Sequence, residues 1–301
     1  MKTAIIIGAN SYIARNLIYH LNQKEEIKLV GFYDYTDTQA DDANPYQKIN
    51  IKSKESVASI NMDCDVIYMF VGKTGSTNGF TDYQTFIDIN EISLLNVLSE
   101  YLNQKSKAKI IFPSTRLVYK GQDYPLKEDA EKEFKTIYAM NKYSCENYLK
   151  QYHEVYGVNY CILRICVPYG TMIKDASSYG TAEFMLNKAA KGEDIVLFGD
   201  GLQKRTLIDM IDLCETLYKV ALSENCINDV FNVGGEEYSI RSMAELLAQK
   251  YKVKVSYIEW PEIALKVESG STVFDDEKLR NRIGNVITHS FSDWVDGEIF
   301  N

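Results

Sequence analysis

The stretch TAIIIGANSYIAR, residues 3–15 of a 301-residue chain, determines how the rest of the sequence is interpreted. Its run of apolar residues predicts a buried strand, and Gly8 permits the tight turn that ends it. Ser11 and Ala14 take the second and third glycine positions of a G-x-x-G-x-x-G turn. Ser11 is small enough for backbone to approach a pyrophosphate, and Ala14 allows close packing of helix on strand. The stretch predicts a dinucleotide site, although a small-residue turn in any α/β protein would look the same.

The second predicted strand supports the dinucleotide interpretation because it ends in a carboxylate. Asp34 follows Ala14 by 20 residues, a spacing at which it can accept hydrogen bonds from the adenine ribose. A 2′-phosphate would be repelled there, and residues 35–45 contain no Lys or Arg to accommodate one. The sequence therefore favours NAD over NADP, with an ordinary turn carboxylate as the alternative role of Asp34.

Apolar runs alternate with amphipathic stretches of helical length. This alternation is typical of an α/β protein with a Rossmann-like, doubly wound parallel sheet. After residue 166 the alternation loosens, which predicts a smaller, interleaved C-terminal lobe. We expect a dinucleotide-binding domain at 1–165, joined by parts of 205–235, and a substrate-binding lobe at 166–301. The predicted strands are 3–7, 28–33, 66–71, 109–112 and 160–165, and the predicted helices are 12–22, 84–102, 139–156 and 182–191.

The composition limits the possible partners. A formal charge of −9 argues against nucleic acid and anionic membranes, which would be repelled over most of the surface. The six cysteines and three histidines have no metal-ligand spacing, so no metal site is expected. No apolar run reaches the length of a signal-peptide core or a membrane span, and we therefore expect a cytoplasmic protein.

A second motif begins where a predicted strand ends in Ser114 and Thr115, and the segment YAMNK follows it. Tyr138 and Lys142 stand four residues apart, which places both on one face of a helix. A phenol with its ordinary pKa of about 10 removes a proton near neutral pH only if the phenolate is stabilised. The Lys142 ammonium and the nicotinamide of NAD⁺ are suitable sources. Thr115, with Ser114 as a second candidate, would hydrogen-bond the substrate oxygen.

Two alternatives limit what a motif as short as Y-x-x-x-K can prove. Tyr101 and Lys105 match it as well, but they precede the Ser-Thr strand and are expected at the surface end of a helix. Tyr138 and Lys142 could also be an interfacial tyrosine and a solvated lysine.

The ordered set of motifs resembles the extended short-chain dehydrogenase/reductase family, in its branch of NAD-dependent nucleotide-sugar epimerases and dehydratases. The resemblance extends over nearly the full length. It implies that Thr115, Tyr138 and Lys142 are catalytic, that NAD is the cofactor, and that the substrate is a nucleotide sugar. It also implies a homodimer formed through the two long helices. The matching segments are GANSYIAR, Asp34, DVIYMFVG, FIDIN with Asn90, PSTRLVY, YAMNK, LRICVPYG, FGDGLQKRTLIDMIDLC and FNVGG.

The same resemblance assigns ligand contacts. Arg205 in GDGLQKR is the expected diphosphate ligand, although it could instead pair with a nearby carboxylate. Val196 and Phe198 are the expected contacts to the base, although Phe198 could belong to the core. Val167 is the expected substrate contact at a position where the family usually has asparagine. The implied cofactor contacts are Gly8, Asn10, Ser11, Tyr12, Ile13, Asp34, Asn50, Ile51, Phe70, Val71, Gly72, Asn90, Tyr138 and Lys142.

Departures from the family pattern narrow the reaction. Arg116 and Leu117 replace the Asp and Glu that act as acid and base in sugar 4,6-dehydratases, so dehydration is not expected. Val167 and Met69 replace the usual asparagine and histidine near the sugar, and residues 72–79 form an unusual polar loop. The sugar therefore need not be glucose or galactose.

What remains predicts hydride transfer at C4 of a sugar carried on a nucleoside diphosphate, by either a 4-epimerase or a 4-ketoreductase. We favour the epimerase because the glycine-containing loop at 72–79 could give a ketosugar space to turn. A dehydratase with relocated acid and base is the other enzymatic alternative. A non-catalytic dinucleotide-binding sensor lies outside the enzyme class, and it is disfavoured because binding alone does not require the Thr-Tyr-Lys set.

Overall fold

The computed structural model describes residues 1–37, 46–173, 176 and 180–297. Short strands and helices alternate along these residues. The strands are β1 Lys2–Ile7, β2 Ile27–Asp34, β3 Tyr46–Lys48, β4 Val66–Met69, β5 Lys109–Thr115, β6 Tyr160–Ile165, β7 Val167–Tyr169, β8 Ile195–Phe198, β9 Lys204–Asp209, β10 Asp229–Asn232, β11 Glu236–Ser239 and β12 Val255–Ile258. The helices are α1 Tyr12–Leu21, α2 Lys54–Val57, α3 Tyr83–Ile87, α4 Ser93–Asn103, α5 Ile137–Tyr156, α6 Thr181–Ala190, α7 Met210–Leu222, α8 Ile240–Tyr251, α9 Glu262–Val267, α10 Glu277–Ile283 and α11 Phe291–Asp296.

Seven strands form one parallel sheet in the order β10-β6-β5-β4-β1-β2-β3. The chain builds outward from β1 in one direction and from β4 in the other, which leaves a topological switch point between these two strands. Along β1, Ala4 and Ile6 pack into one hydrophobic core while Ile5 and Ile7 pack into another. Both faces of the sheet are therefore buried, and the prediction of a doubly wound α/β fold is confirmed.

Helices cover each face of this sheet. Leu17 of α1 and Leu217 of α7 belong to the first core, whereas Val97 of α4 and Leu149 of α5 belong to the second. The long helix α5 begins at Thr136, whose side chain accepts a hydrogen bond from the Ala139 backbone N–H. This cap places Tyr138 in the first turn of α5 and Lys142 one turn later.

The helix predicted at 84–102 is interrupted. Five residues between α3 and α4, Asp88–Ile92, have π-helical hydrogen bonding, and Asn90 lies at their centre. A π turn inserts an additional residue into an α-helix, and the spacing of apolar residues along the chain does not reveal such an insertion. The strand predicted at 66–71 ends earlier, at Met69, so Phe70 to Gly72 are free to line a cleft.

The chain leaves the main sheet after β6 and returns to it at β10. Between and beyond these strands it forms a three-stranded sheet, β11-β9-β7, and a two-stranded pair, β12-β8. These strands, together with α6, α8 and α11, enclose a third hydrophobic core. The small and polar residues at 170–180 predict a loop, and this segment lies partly outside the described residues.

A chain of buried polar groups crosses the molecule beneath the end of β5. Ser114 Oγ donates to Glu146 Oε1 at 2.5 Å, and Arg164 holds both carboxylate oxygens of Glu146 at 2.9 and 2.7 Å. Arg164 also donates to the Tyr119 hydroxyl at 2.7 Å, which in turn donates to Asn232 at 2.6 Å. These hydrogen bonds connect β5, α5, β6 and β10 through groups that water does not reach.

Two kinds of feature are absent from the described part of the chain. No helix there has the length and apolar character required to cross a membrane. The same residues contain no cluster of His, Cys, Asp or Glu side chains that could hold a metal ion.

Candidate active site

A cleft of about 460 Å³ opens at the carboxyl ends of β1, β2 and β4, beside the topological switch point. This is where open parallel sheets bind ligands. The predicted cofactor contacts that line it are Gly8, Asn10, Ser11, Asp34, Asn50, Ile51, Phe70, Val71 and Gly72, and the lining residues not predicted are Ile7, Tyr33, Tyr35, Thr36, Ile49, Lys52 and Ile89.

In the turn after β1, the backbone at Gly8 lies very close to the backbone of Phe70 and Val71. Gly8 has φ +89°, and a Cβ at this position would lie 2.6 Å from both the Phe70 carbonyl carbon and the Val71 nitrogen. Ser11 stands at the N-cap of α1 without capping it, and its buried hydroxyl oxygen has no partner among the described residues. A helix N-terminus with an uncommitted hydroxyl suits a pyrophosphate, so these residues fit the dinucleotide that the sequence predicts.

The Asp34 carboxylate is fixed at the end of β2. It accepts the Asn10 backbone N–H at 2.8 Å and the Tyr35 N–H at 2.6 Å. Lys52 lines the same cleft, and this cation lies in the chain beyond residues 35–45, which contain no Lys or Arg. Of residues 35–45, only 35–37 lie within the described residues.

Asp34→Ala is expected to narrow the preference for NAD over NADP, because it removes the charge that repels a 2′-phosphate. Titration of both cofactors into the wild type and the variant measures this. The Lys52→Met variant is the companion test, since loss of NADP binding there would identify Lys52 as the phosphate partner. A preference of the wild type for NADP would contradict the role given to Asp34.

Five of the predicted cofactor contacts are not among the cleft-lining residues, namely Tyr138 and Lys142, which are described below, and Tyr12, Ile13 and Asn90. The Tyr12 hydroxyl donates to the Gly170 carbonyl oxygen and ties α1 to the loop after β7. Ile13 packs against the first hydrophobic core. Asn90 accepts the Lys73 N–H at 2.8 Å and donates to the Lys73 carbonyl at 3.1 Å, so it shapes the cleft wall from behind.

Thr115, Tyr138 and Lys142 come together where β5 ends and α5 begins. Thr115 Oγ1 accepts the Leu117 N–H at 3.2 Å and hydrogen-bonds the Tyr138 hydroxyl. Lys142 Nζ donates to the Pro113 carbonyl at 2.8 Å and lies 6.0 Å from the centre of the Tyr138 ring. The sequence predicted this grouping, and the structure brings the three side chains together.

Burial perturbs both titratable groups in this cluster. Burial raises the pKa of Tyr138 to about 12, while its hydrogen bond with Thr115 acts in the opposite direction. Burial also lowers the pKa of Lys142 to about 8, against smaller effects of Cys145 and Glu146. Lowering the Tyr138 pKa to near 7 requires preferential stabilisation of the phenolate by about 7 kcal/mol.

The cluster adjoins the cofactor cleft at Gly72. A Cβ at Gly72 would lie 3.5 Å from Asn90 Oδ1 and 3.6 Å from Lys142 Nζ, and Gly72 itself lines the cleft. Tyr138 and Lys142 are not among the cleft-lining residues, but Lys142 is an immediate neighbour of Gly72. A ligand that fills the cleft toward Gly72 therefore ends beside the catalytic candidates.

The structure corrects two predictions, one for Ser114 and one for Tyr101. Ser114 was a second catalytic candidate, but its hydroxyl donates to the buried Glu146 carboxylate, so the proton needed for a substrate contact is already in use. Tyr101, expected at a surface helix end, is buried in the second core and donates to the Ala108 carbonyl at 3.0 Å.

The predicted substrate contacts are spread over the two smaller sheets, on β7, β8 and β9. Val196 and Phe198 project from alternate positions of β8 and are 41% and 39% exposed, so Phe198 is not a core residue. Its ring lies 5.4 Å from that of Trp260, a neighbour that the sequence analysis did not identify. Val167, the predicted substrate contact on β7, is buried in the third core.

Arg205 follows the alternative that the sequence left open. Its Nη2 pairs with Glu268 Oε1 at 2.6 Å, and its Nη1 donates to the carbonyls of Lys204 and Gly270 at 2.8 and 2.5 Å. The side chain is almost fully buried. A diphosphate at this position would have to share the guanidinium with Glu268.

A model of the NAD dependent epimerase/dehydratase family matches residues 4–234. The chain belongs to this family. The match includes the cofactor cleft and the Thr115, Tyr138 and Lys142 cluster. The prediction of an NAD-dependent enzyme of the extended short-chain dehydrogenase/reductase type is confirmed.

The names of relatives of this chain state different activities. The chain is 24% identical over 250 residues to a putative UDP-glucose 4-epimerase of Methanocaldococcus jannaschii, covering 81% of this chain and 80% of the relative. It is 26% identical over 260 residues to a UDP-N-acetyl-alpha-D-glucosaminuronate decarboxylase of Bacillus cytotoxicus, with 82% and 80% covered. The solved UDP-glucose 4-epimerase of Thermus thermophilus, in complex with NAD, superposes with a TM-score of 0.85 at 18% identity and covers 97% of this chain and 96% of its own.

Proposed function

We propose that this family member oxidises and reduces C4 of a sugar carried on a nucleoside diphosphate, and that the net reaction is epimerisation. The observation that carries the proposal is the Thr115, Tyr138 and Lys142 cluster beside Gly72, at the end of the cofactor cleft. This places a proton-transfer group next to the position that the redox end of a bound dinucleotide would take. Bound NAD supplies reversible acceptance of a hydride.

Tyr138 is the proton-transfer group in this proposal. Its phenolate takes the proton of the C4 hydroxyl during oxidation and returns it during reduction, while Thr115 holds the same oxygen. The Leu117 N–H occupies only an acceptor position of Thr115 Oγ1, so the threonine proton stays available for the substrate oxygen. Lys142, still a cation at neutral pH, supplies positive charge that favours the phenolate.

The two residues after Thr115 argue against elimination as the main reaction. Arg116 and Leu117 offer neither a carboxylic acid nor a carboxylate at that point of the site. Dehydration needs both a general acid and a general base near the sugar in addition to Tyr138. Transfer at a single carbon needs only the groups already in the cluster.

Strands β8 and β9 of the two smaller sheets supply the nucleotide contacts in this proposal. Val196 and Phe198 present an exposed apolar face on which a base can stack. Arg205 contributes positive charge for the diphosphate, shared with Glu268.

We also propose that the protein forms a homodimer through its long helices. The apolar residues exposed on these elements are Tyr83 on α3, Ile92 on the π turn and Met140 on α5.

Two incubations distinguish the epimerase from a 4-ketoreductase. The first contains a nucleotide sugar and trace NAD, and the second contains a 4-keto nucleotide sugar and NADH. Interconversion of the C4 epimers without net NADH consumption is expected, because an epimerase returns the hydride that it removed. Steady NADH oxidation without epimer interconversion would instead establish the reductase. Neither activity across a panel of UDP- and dTDP-sugars would contradict the proposed function.

A further inference from the structure

Arg116 lies directly after Thr115, in the short 3₁₀ turn that follows β5. Its Nη1 donates to Ser269 Oγ at 3.1 Å and to Thr272 Oγ1 at 3.2 Å. Both partners are neutral hydroxyls, so neither compensates the positive charge. Within the part of the chain that the structure describes, no hydrogen bond or ion pair occupies its Nε or Nη2.

The surroundings of Arg116 contain a second cation, Arg205, and one anion, Glu268. Burial lowers the pKa of Arg116 from its usual value, and the positive charge of nearby Arg205 lowers it further. Glu268 is hydrogen-bonded to Arg205 at 2.6 Å, so two guanidinium groups share one carboxylate. The local excess is one positive charge, in a chain whose formal net charge is −9.

A largely desolvated cation without an opposite charge beside it destabilises the fold, unless a bound ligand supplies that opposite charge. A guanidinium offers parallel N–H groups that match both oxygens of a carboxylate. Leu117, the next residue in the chain, has no polar side chain that could take this place. A neutral hexose would leave the excess charge unmatched, whereas an acidic sugar would match it.

We propose that Arg116 binds a carboxylate on the sugar, and that the substrate is therefore a nucleotide-linked uronic acid. The inference rests on the proposed function, because it assumes that the sugar lies against Thr115 and Tyr138. Arg116 is adjacent to Thr115 in the chain, so its guanidinium can meet a substituent next to the carbon that reacts. The diphosphate is the other anionic group of such a substrate, and the experiment separates the two.

Calorimetry on the NAD-loaded enzyme measures affinities for UDP, for UDP-glucose and UDP-glucuronate, and for UDP-galactose and UDP-galacturonate. The wild type is expected to bind the uronate of at least one pair about tenfold or more tightly than its neutral partner, the usual worth of a charge-assisted hydrogen bond. Arg116→Met is expected to reduce this ratio to near one, and Arg116→Lys to retain part of it. Affinity for UDP is expected to change little in either variant.

The matched control is Arg282→Met, the same substitution at an exposed arginine of α10, which should leave every ratio unchanged. Wild-type preference for the neutral sugars, or an unchanged ratio in Arg116→Met, would overturn the proposal. An equal loss of UDP affinity would also overturn it, by assigning Arg116 to the diphosphate. If Arg116→Met does not fold, the wild-type ratio and Arg116→Lys decide the matter.

Turnover of the same four sugars is scored separately from binding. A uronate preference in binding without turnover of any sugar would contradict the proposed function and still support the carboxylate site. Turnover of neutral sugars alone would support the proposed function and overturn the carboxylate site. If Arg116→Met lowered the melting temperature without changing the ratio of uronate to neutral-sugar affinity, the role of Arg116 would be limited to holding Ser269 and Thr272. That result would also overturn the carboxylate site.

Discussion

Tyr138→Phe is expected to lower turnover by at least about two orders of magnitude, the usual contribution of general acid–base catalysis. The substitution removes only the hydroxyl that Thr115 hydrogen-bonds, and leaves the ring beside Lys142. NAD affinity should remain nearly intact, because the cofactor cleft is lined by other residues. Steady-state kinetics and a cofactor titration on the same preparation measure both effects.

The control for this variant is Tyr156→Phe, which removes a hydroxyl at the exposed end of the same helix. Tyr101 would be a poor control, because its hydroxyl has a buried partner whose loss would affect stability. Turnover of Tyr138→Phe within a factor of a few of the wild type would exclude Tyr138 as the proton-transfer group.

Arg164→Met is expected to lower the free energy of unfolding by about 3–5 kcal/mol, because it leaves the Glu146 carboxylate buried without its partner. Arg164 holds both oxygens of Glu146, and neither side chain is exposed to water. The variant also deprives Tyr119 of a donor. Chemical denaturation followed by circular dichroism gives the difference.

A surface pair provides the comparison for the buried one. Lys266→Met breaks an exposed ion pair with Glu262 and should cost no more than about 1 kcal/mol. The double variant Glu146→Leu with Arg164→Met should recover part of the loss, since it removes both buried charges together. If Arg164→Met proved no more destabilising than Lys266→Met, the buried network would not stabilise the fold.

Sequence reasoning identified the features that are local in the chain. The turn at Gly8, the carboxylate of Asp34 and the Tyr138 and Lys142 spacing each depend on a short segment whose geometry its own residues set. The positions of Thr115 and Tyr138 relative to each other also followed, because parallel strands and their helices meet at one edge of a sheet.

Features that depend on contacts distant in the chain could not be predicted this way. Ser114 is engaged by Glu146, and Arg205 by Glu268, through pairs 32 and 63 residues apart. Lys52 reaches the cofactor cleft from a segment 18 residues beyond Asp34, and only the fold brings the two together. The π turn that presents Asn90 to Lys73 has no signature in the spacing of apolar residues.

The return of the chain to the main sheet at β10 has a consequence for how the protein is made. Synthesis on the ribosome proceeds from the N-terminus, so six strands of the sheet exist before β10 and α7 have been made. Until then the edge of β6 is unpaired, and the face of α1 that packs on α7 is bare. An unpaired strand edge beside an uncovered apolar surface promotes association with other chains. The nascent chain must therefore pass through an aggregation-prone stage in which a chaperone that binds exposed apolar segments would be of most use.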